Sequence, residues 1–147
     1  MSTPIQTILS SKPTRLISVP PTATVQDAVL AMNEHATGCT MVIDNGALVG
    51  IFTERDILRR VVGAGLDPKA ILVKDVMTSP VRTVSPSTPV DDVMSMMFEK
   101  KIRHIPVEED GRIVTLVSIG DLNRWMVLIH KAEAEALRNY VAGGLSA

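Results

Sequence analysis

Gly50-Ile51-Phe52-Thr53-Glu54-Arg55-Asp56 returns 65 positions later as Thr115-Leu116-Val117-Ser118-Ile119-Gly120-Asp121. Each stretch reads as an apolar strand that runs into a hydroxyl residue, two spacers and an aspartate. Working outward, the same offset of 65, without a gap, aligns Val19 with Val84, Val25 with Val90, Asp27 with Asp92, Met32 with Met97, Val42 with Val107 and Gly46 with Gly111. So many like-for-like matches at one offset mark an internal duplication, which has to be recognised before any element is assigned.

Within the first copy, Ile17-Ser18-Val19 predicts a short strand, broken by Pro20-Pro21 before a threonine-rich helix start at Thr22 to Thr24. Val25, Ala28, Val29 and Met32 recur at helical spacing and so bury one face, and Gly38 is expected to close that helix. Thr40 to Ile43 and Leu48 to Phe52 are β-branched and apolar runs around Asp44-Asn45-Gly46, the pattern of a tight hairpin. From about Glu54 a second helix carries Ile57, Leu58, Val61 and Val62 and stops at Gly63-Ala64-Gly65. Residues 66 to 79 connect the copies. The second copy repeats the order: Thr83-Val84, a helix with Thr88 as N-cap and Pro89 in its first position, and hairpin strands at Ile105 to Val107 and Ile113 to Val117. A longer last helix starts near Asp121, with Leu122, Trp125, Met126 and Ile129 on one stripe, continued by Leu137, Tyr140 and Val141 up to Gly143-Gly144. That stripe outruns the repeat and needs a cover, from a partner subunit or the other repeat. The expected class is α+β, two strand-helix-strand-strand-helix units.

Composition narrows function. With 147 residues, 46% of them apolar, the chain has enough material for a packed core. Fifteen basic against sixteen acidic residues, and a pI near 6.3, give no global positive field, so nucleic acid is a poor default partner. The single cysteine, Cys39, lies in an apolar run and reads as a buried thiol. Met1 to Lys12 lacks the pattern of a secretory leader, and no run approaches a membrane span, so a cytoplasmic protein with no membrane partner is expected.

The repeated motif has a chemical reading. A hydroxyl at a strand end and an aspartate three residues on place a donor, an acceptor carboxylate and backbone N–H groups around one point. Asp56 and Asp121 would each accept from the hydroxyls of a ribose, while Thr53 and Ser118 would meet a phosphate. The same residue types serve equally as ordinary helix caps. Enzymatic readings lack parts: His35, His104 and His130 are scattered, no metal-ligand set or phosphate-binding loop occurs, and no nucleophile has an identifiable base. Lys100-Lys101 and Arg59-Arg60 read as solvated basic pairs. No catalytic residue, metal or required cofactor is expected.

Gly-Ile-Phe-Thr-Glu-Arg-Asp at 50 to 56, Val-Ser-Ile-Gly-Asp at 117 to 121, Ile-Arg-His-Ile-Pro-Val at 102 to 107 and Asp-Val-Met-Thr at 75 to 78 resemble the tandem cystathionine-β-synthase (CBS) domain pair, or Bateman module. The resemblance implies two β-α-β-β-α repeats with pseudo-two-fold symmetry, at 5–65 and 80–130, a connector at 66–79 and a C-terminal extension at 131–147. It also implies two related clefts, an adenosine nucleotide (AMP, ADP, ATP or NAD) as regulatory ligand, a homodimer, and a separate regulated protein. Carried over residue by residue, one cleft would collect Asp121 with Ile17, Thr37, Gly38, Arg103, His104 and Ser118; the other would collect Asp56 with Thr53, Arg55, Met77, Arg82 and Ile102. Arginine suits phosphate because its planar fork makes bidentate bonds. Arg55 faces Gly120 in the alignment, so the two sites are expected to differ, the Asp56 site taking the phosphate-rich ligand. The alternative is a ligand-free dimeric adaptor whose clefts are filled by Arg55 and Arg103.

Overall fold

A computed structural model describes residues 3–10 and 16–145. Met1, Ser2, Ser11 and Lys12 of the N-terminal reading, and Ser146 and Ala147 of the tail, lie outside the described residues. The fold is α+β. The described residues fall into two compact units: residues 16–84 with 106–116, and residues 3–10 with 85–105 and 117–145.

In the first of these, strand β1 (Ser18–Val19) pairs in parallel with β2 (Cys39–Asp44), which pairs antiparallel with β3 (Ala47–Thr53). The β2–β3 turn has Asn45 at φ 49° and Gly46 at φ 83°, the two positive angles that the Asn-Gly dipeptide supplies at least cost. As the central strand, β2 buries Cys39, Thr40, Met41 and Val42 in succession, so it is covered on both faces.

Helix α2 (Val25–Glu34) starts on a reciprocal cap: Asp27 N–H donates to Thr24 Oγ1 at 3.1 Å, and Thr24 N–H donates to Asp27 Oδ2 at 3.3 Å. It ends earlier than Gly38. The left-handed residue after it is Ala36, at φ 50°. Gly38 is small for another reason: its carbonyl accepts from Glu54 N–H at 3.0 Å, and a Cβ there would stand 2.8 Å from the Glu54 carboxylate.

Strand β3 runs directly into α3, which is α-helical over Glu54–Asp56 and π-helical over Ile57–Val62. The Gly63 N–H donates to Leu58 O, five residues back, at 2.8 Å. With more residues per turn than an α-helix, this segment does not keep the expected stripe on one face. Val61 is buried, whereas Leu58 and Val62 are each 65% exposed.

The connector is part of the core. Its short helix α4 (Val73–Val76) places Val73 and Val76 in one buried cluster with Val19, Val25, Ala28, Met32, Val42, Phe52 and Val61. Backbone bonds hold it: Val73 N–H donates to Ala23 O at 2.8 Å, Lys74 N–H to Pro21 O at 3.1 Å, and Val25 N–H to Ile71 O at 3.0 Å. The second unit repeats this arrangement with a helix that the periodicity does not reveal, α1 (Ile5–Leu9). Ile5 N–H donates to Thr88 O at 2.8 Å, Gln6 N–H to Pro86 O at 2.9 Å, and Val90 N–H to Thr3 O at 2.7 Å. Ala23 and Pro21 are the positions aligned with Thr88 and Pro86, so α1 serves the second copy as α4 serves the first.

Helix α5 (Val90–Lys100) buries Val90, Val93 and Met97. Pro89, not Thr88, stands at its N-cap in extended conformation; Thr88 Oγ1 instead accepts from Ser85 N–H at 3.0 Å, and the Thr3 carbonyl takes the Val90 N–H. Strands β4 (His104–Glu109) and β5 (Arg112–Ser118) form a two-stranded sheet around Asp110 and Gly111, both at positive φ. The expected short strand at Thr83-Val84 is a single parallel bridge from Val84 to Val107. Helix α6 (Ile119–Leu145) begins two residues before Asp121 and passes through both glycines at which it was expected to stop. Leu122 is buried, but Val127, Leu137, Tyr140 and Val141 are 65%, 64%, 80% and 52% exposed. Among the described residues no helix is long and apolar enough to cross a membrane.

If the connector is core rather than linker, Val73→Ala lowers unfolding stability by about 2 kcal/mol, from lost burial and a residual cavity. Leu58→Ala, on the exposed side of the π segment, changes it by no more than about 0.5 kcal/mol. Urea denaturation of both variants checks the contrast.

Candidate functional site at the strand-to-helix junctions

A helix start leaves backbone N–H groups without partners, and a strand that runs straight into a helix has no loop in which to solve the problem. Both junctions solve it with the hydroxyl and carboxylate of the repeated motif. At the β3–α3 junction, Asp56 N–H donates to Thr53 Oγ1 at 3.3 Å, while Asp56 Oδ2 accepts from Thr53 N–H at 3.0 Å and from Thr53 Oγ1 at 3.2 Å. At the β5–α6 junction, Asp121 N–H donates to Ser118 Oγ at 3.1 Å and Asp121 Oδ2 accepts from Ser118 N–H at 2.9 Å. The two aspartates are 4% and 7% exposed, a depth at which carboxylates are rare unless well paired.

The outer oxygens differ. Asp56 Oδ1 accepts from Thr78 Oγ1 at 2.9 Å and lies 3.7 Å from Arg60 Nε. Arg60 also donates from Nη1 to Met77 O at 2.8 Å and to Val76 O at 3.4 Å. Asp121 Oδ1 has Arg124 Nη1 at 3.8 Å, on a side chain that is 73% exposed. The arginines beside the two carboxylates come from different positions of the repeat, since Arg60 aligns with Trp125 and Arg124 with Arg59.

Thr53, Asp56 and Met77 share one neighbourhood, the Met77 side chain lying directly over Gly50, where any Cβ would collide with its sulfur. Arg55 and Arg82 are exposed. Ile17 is half-buried, its carbonyl accepting from Met41 N–H at 3.0 Å and from Thr40 Oγ1 at 3.2 Å. Thr37 and Gly38 follow α2, with Gly38 against Glu54. Arg103, Ser118 and Asp121 meet at the start of α6, where Arg103 O accepts from Ile119 N–H at 2.8 Å; this bond is the counterpart of the one from Glu54 to Gly38. Ile102 and His104 flank Arg103 and are half-buried. Each of the two predicted sets draws on both compact units: Ile102 is apart in chain assignment from Asp56, as Ile17, Thr37 and Gly38 are from Asp121.

Two residues at Asp56 do not stand out in the sequence pattern. Thr78 ends the connector motif, and its hydroxyl there is the one local signal. Arg60 stands in the sequence as half of a basic pair; its i,i+4 spacing from Asp56 is the clue, but the carbonyls of Val76 and Met77 that orient it come from the connector and leave no trace in the local pattern. Among the described residues no group of three His, Cys, Asp or Glu is placed to hold a metal ion.

The family model described as CBS domain matches residues 1–63 and 73–128. The mitochondrial CBS domain-containing protein CBSX3 of Arabidopsis thaliana is 42% identical over 126 residues, 82% of this chain, and the chain spans 61% of that relative's length. A solved protein with CBS domains from Burkholderia ambifaria superposes with a TM-score of 0.83 at 37% identity, over 86% of this chain and 95% of that one. A CBS domain protein from Pyrobaculum aerophilum, solved in complex with AMP, superposes with a TM-score of 0.71 at 27% identity, over 81% and 89% of the two chains. With two matches to one domain model, 65-residue internal periodicity and a shared fold, the chain belongs to the CBS-domain family as a tandem pair.

Proposed function

We propose that the chain is a regulatory module that binds an adenosine nucleotide, AMP, ADP, ATP or NAD, at the strand-to-helix junctions of its CBS repeats, and passes the binding state to a separate protein. The observation that carries this reading is the buried carboxylate placed twice at a junction beside a hydroxyl: Asp56 with Thr53 and Asp121 with Ser118. A carboxylate there suits a ribose diol, because it is acceptor-only and a diol offers two donors. The AMP complex of the Pyrobaculum aerophilum relative supports the ligand class. Under this proposal Met77, beside the Asp56 junction, offers apolar surface to adenine and Arg55 serves phosphate there, while at the Asp121 junction Arg103 serves phosphate. No residue is assigned a catalytic step, and the ligand is an effector rather than a cofactor. The proposal places the protein in the cytoplasm, where the buried Cys39 thiol stays reduced.

A second reading has its own support. Asp56 is already engaged by Thr53, Thr78 and Arg60, which fits an adaptor that needs no ligand. In either reading the chain acts as a homodimer, with the exposed Val127, Leu137, Tyr140 and Val141 of α6 as part of the contact.

Ligand binding stabilises by about 2.7 kcal/mol at a hundredfold excess over Kd, equivalent to roughly 5–10 °C in Tm for a chain of this size. The nucleotide reading expects such a rise with at least one of AMP, ADP, ATP and NAD, and its loss in Asp56→Asn or Asp121→Asn; no shift at millimolar concentration with any of the four favours the adaptor. For the dimer, light scattering of Leu137→Glu is expected to give half the mass of the parent protein. An unchanged mass removes α6 from the contact.

A further inference from the structure

We infer that Thr78 is a built-in competitor for the ribose at Asp56, and so sets both the affinity of that site and its preference for a diol. The inference rests on the nucleotide reading above. A carboxylate has about four lone-pair positions. At Asp56, Oδ2 serves Thr53 N–H at 3.0 Å and Thr53 Oγ1 at 3.2 Å, and Oδ1 serves Thr78 Oγ1 at 2.9 Å with Arg60 Nε at 3.7 Å. A ribose that donates from two hydroxyls needs lone pairs on Oδ1, the oxygen that Thr53 does not hold, and the Thr78 hydroxyl already occupies one of them.

The backbone of Thr78 is pinned: its N–H donates to Ile51 O at 2.8 Å and its carbonyl accepts from Ile51 N–H at 3.0 Å, which fixes it beside β3. Retreat of the connector would break both bonds. Rotation about χ1 breaks neither, because it carries the hydroxyl and methyl together from one staggered well to another and leaves the backbone in place. The cheaper route is therefore a side-chain rotor. Its cost is one hydrogen bond to a buried charge, a contact stronger than a neutral one. Arg60 spans from the Asp56 carboxylate to the carbonyls of Val76 and Met77, so a change of partner at Asp56 also reaches the connector backbone.

The test is calorimetric titration of the full chain with AMP and with 2′,3′-dideoxy-AMP, for the parent protein and for Thr78→Val, Thr78→Ala and Thr78→Ser. Removing the hydroxyl in the Val and Ala variants is expected to tighten AMP binding about tenfold, from the loss of one competing charge-assisted bond. The dideoxy nucleotide, which cannot use the carboxylate as a diol does, is expected to show no such gain; Thr78→Ser restores parental affinity. A purely structural role for Thr78 would weaken both nucleotides together. If the parent binds AMP and neither hydroxyl-free variant binds it tighter, the competitor role is wrong while the nucleotide reading stands. If AMP binds to none of the four proteins, both fall; binding to the Val and Ala variants alone confirms the competitor.

Discussion

The structure depends on how a strand can pass straight into a helix without leaving polar groups stranded. The Thr53–Asp56 and Ser118–Asp121 boxes solve this at each junction with two reciprocal bonds, and they bury a carboxylate in doing so. Once the carboxylate is buried its remaining lone pairs must also be met. At Asp56 that demand draws in Thr78 and Arg60, and with them the connector. A motif that began as a cap thereby ties the β3–α3 junction to the connector. Under the proposed function, the same demand makes it responsive to a ligand rich in hydroxyl donors.

The second organising feature is that each repeat borrows a leading segment. Helix α4 lends Val73 and Val76 to the core around α2 and binds the carbonyls of Pro21 and Ala23, while α1 binds those of Pro86 and Thr88 at aligned positions. Neither helix is long enough to stand alone, so each exists because the neighbouring segment supplies its backbone partners. The duplication is thus of a unit longer than the strand-helix-strand-strand-helix pattern that periodicity displays.

Much of this was legible in the residues. The offset of 65, the Asn45-Gly46 and Asp110-Gly111 turns, and the buried faces of α2 and α5 follow from local chemistry and repeat spacing. The misses have physical causes. Gly38 looked like a helix stop, but its size answers the close approach of Glu54, a tertiary contact. Gly143 and Gly144 are weak breakers that an established 27-residue helix overrides. The π turn at Ile57–Val62 exposes Leu58 and Val62 against their periodicity, since the stripe assumes an α-helical pitch. At the site, the paired aspartates and hydroxyls were visible as types at a spacing, whereas Thr78 and Arg60 required knowing where the connector returns.

The junction carboxylates are structural caps, and under the proposed function they are ribose acceptors as well. The most direct measurement is a crystal structure of the chain grown with AMP. The expected result is ribose hydroxyls hydrogen-bonded to the carboxylate of Asp56 or Asp121, with the Thr78 hydroxyl turned away wherever Asp56 is the one used. AMP bound away from both carboxylates, or held with its ribose facing solvent, would contradict it.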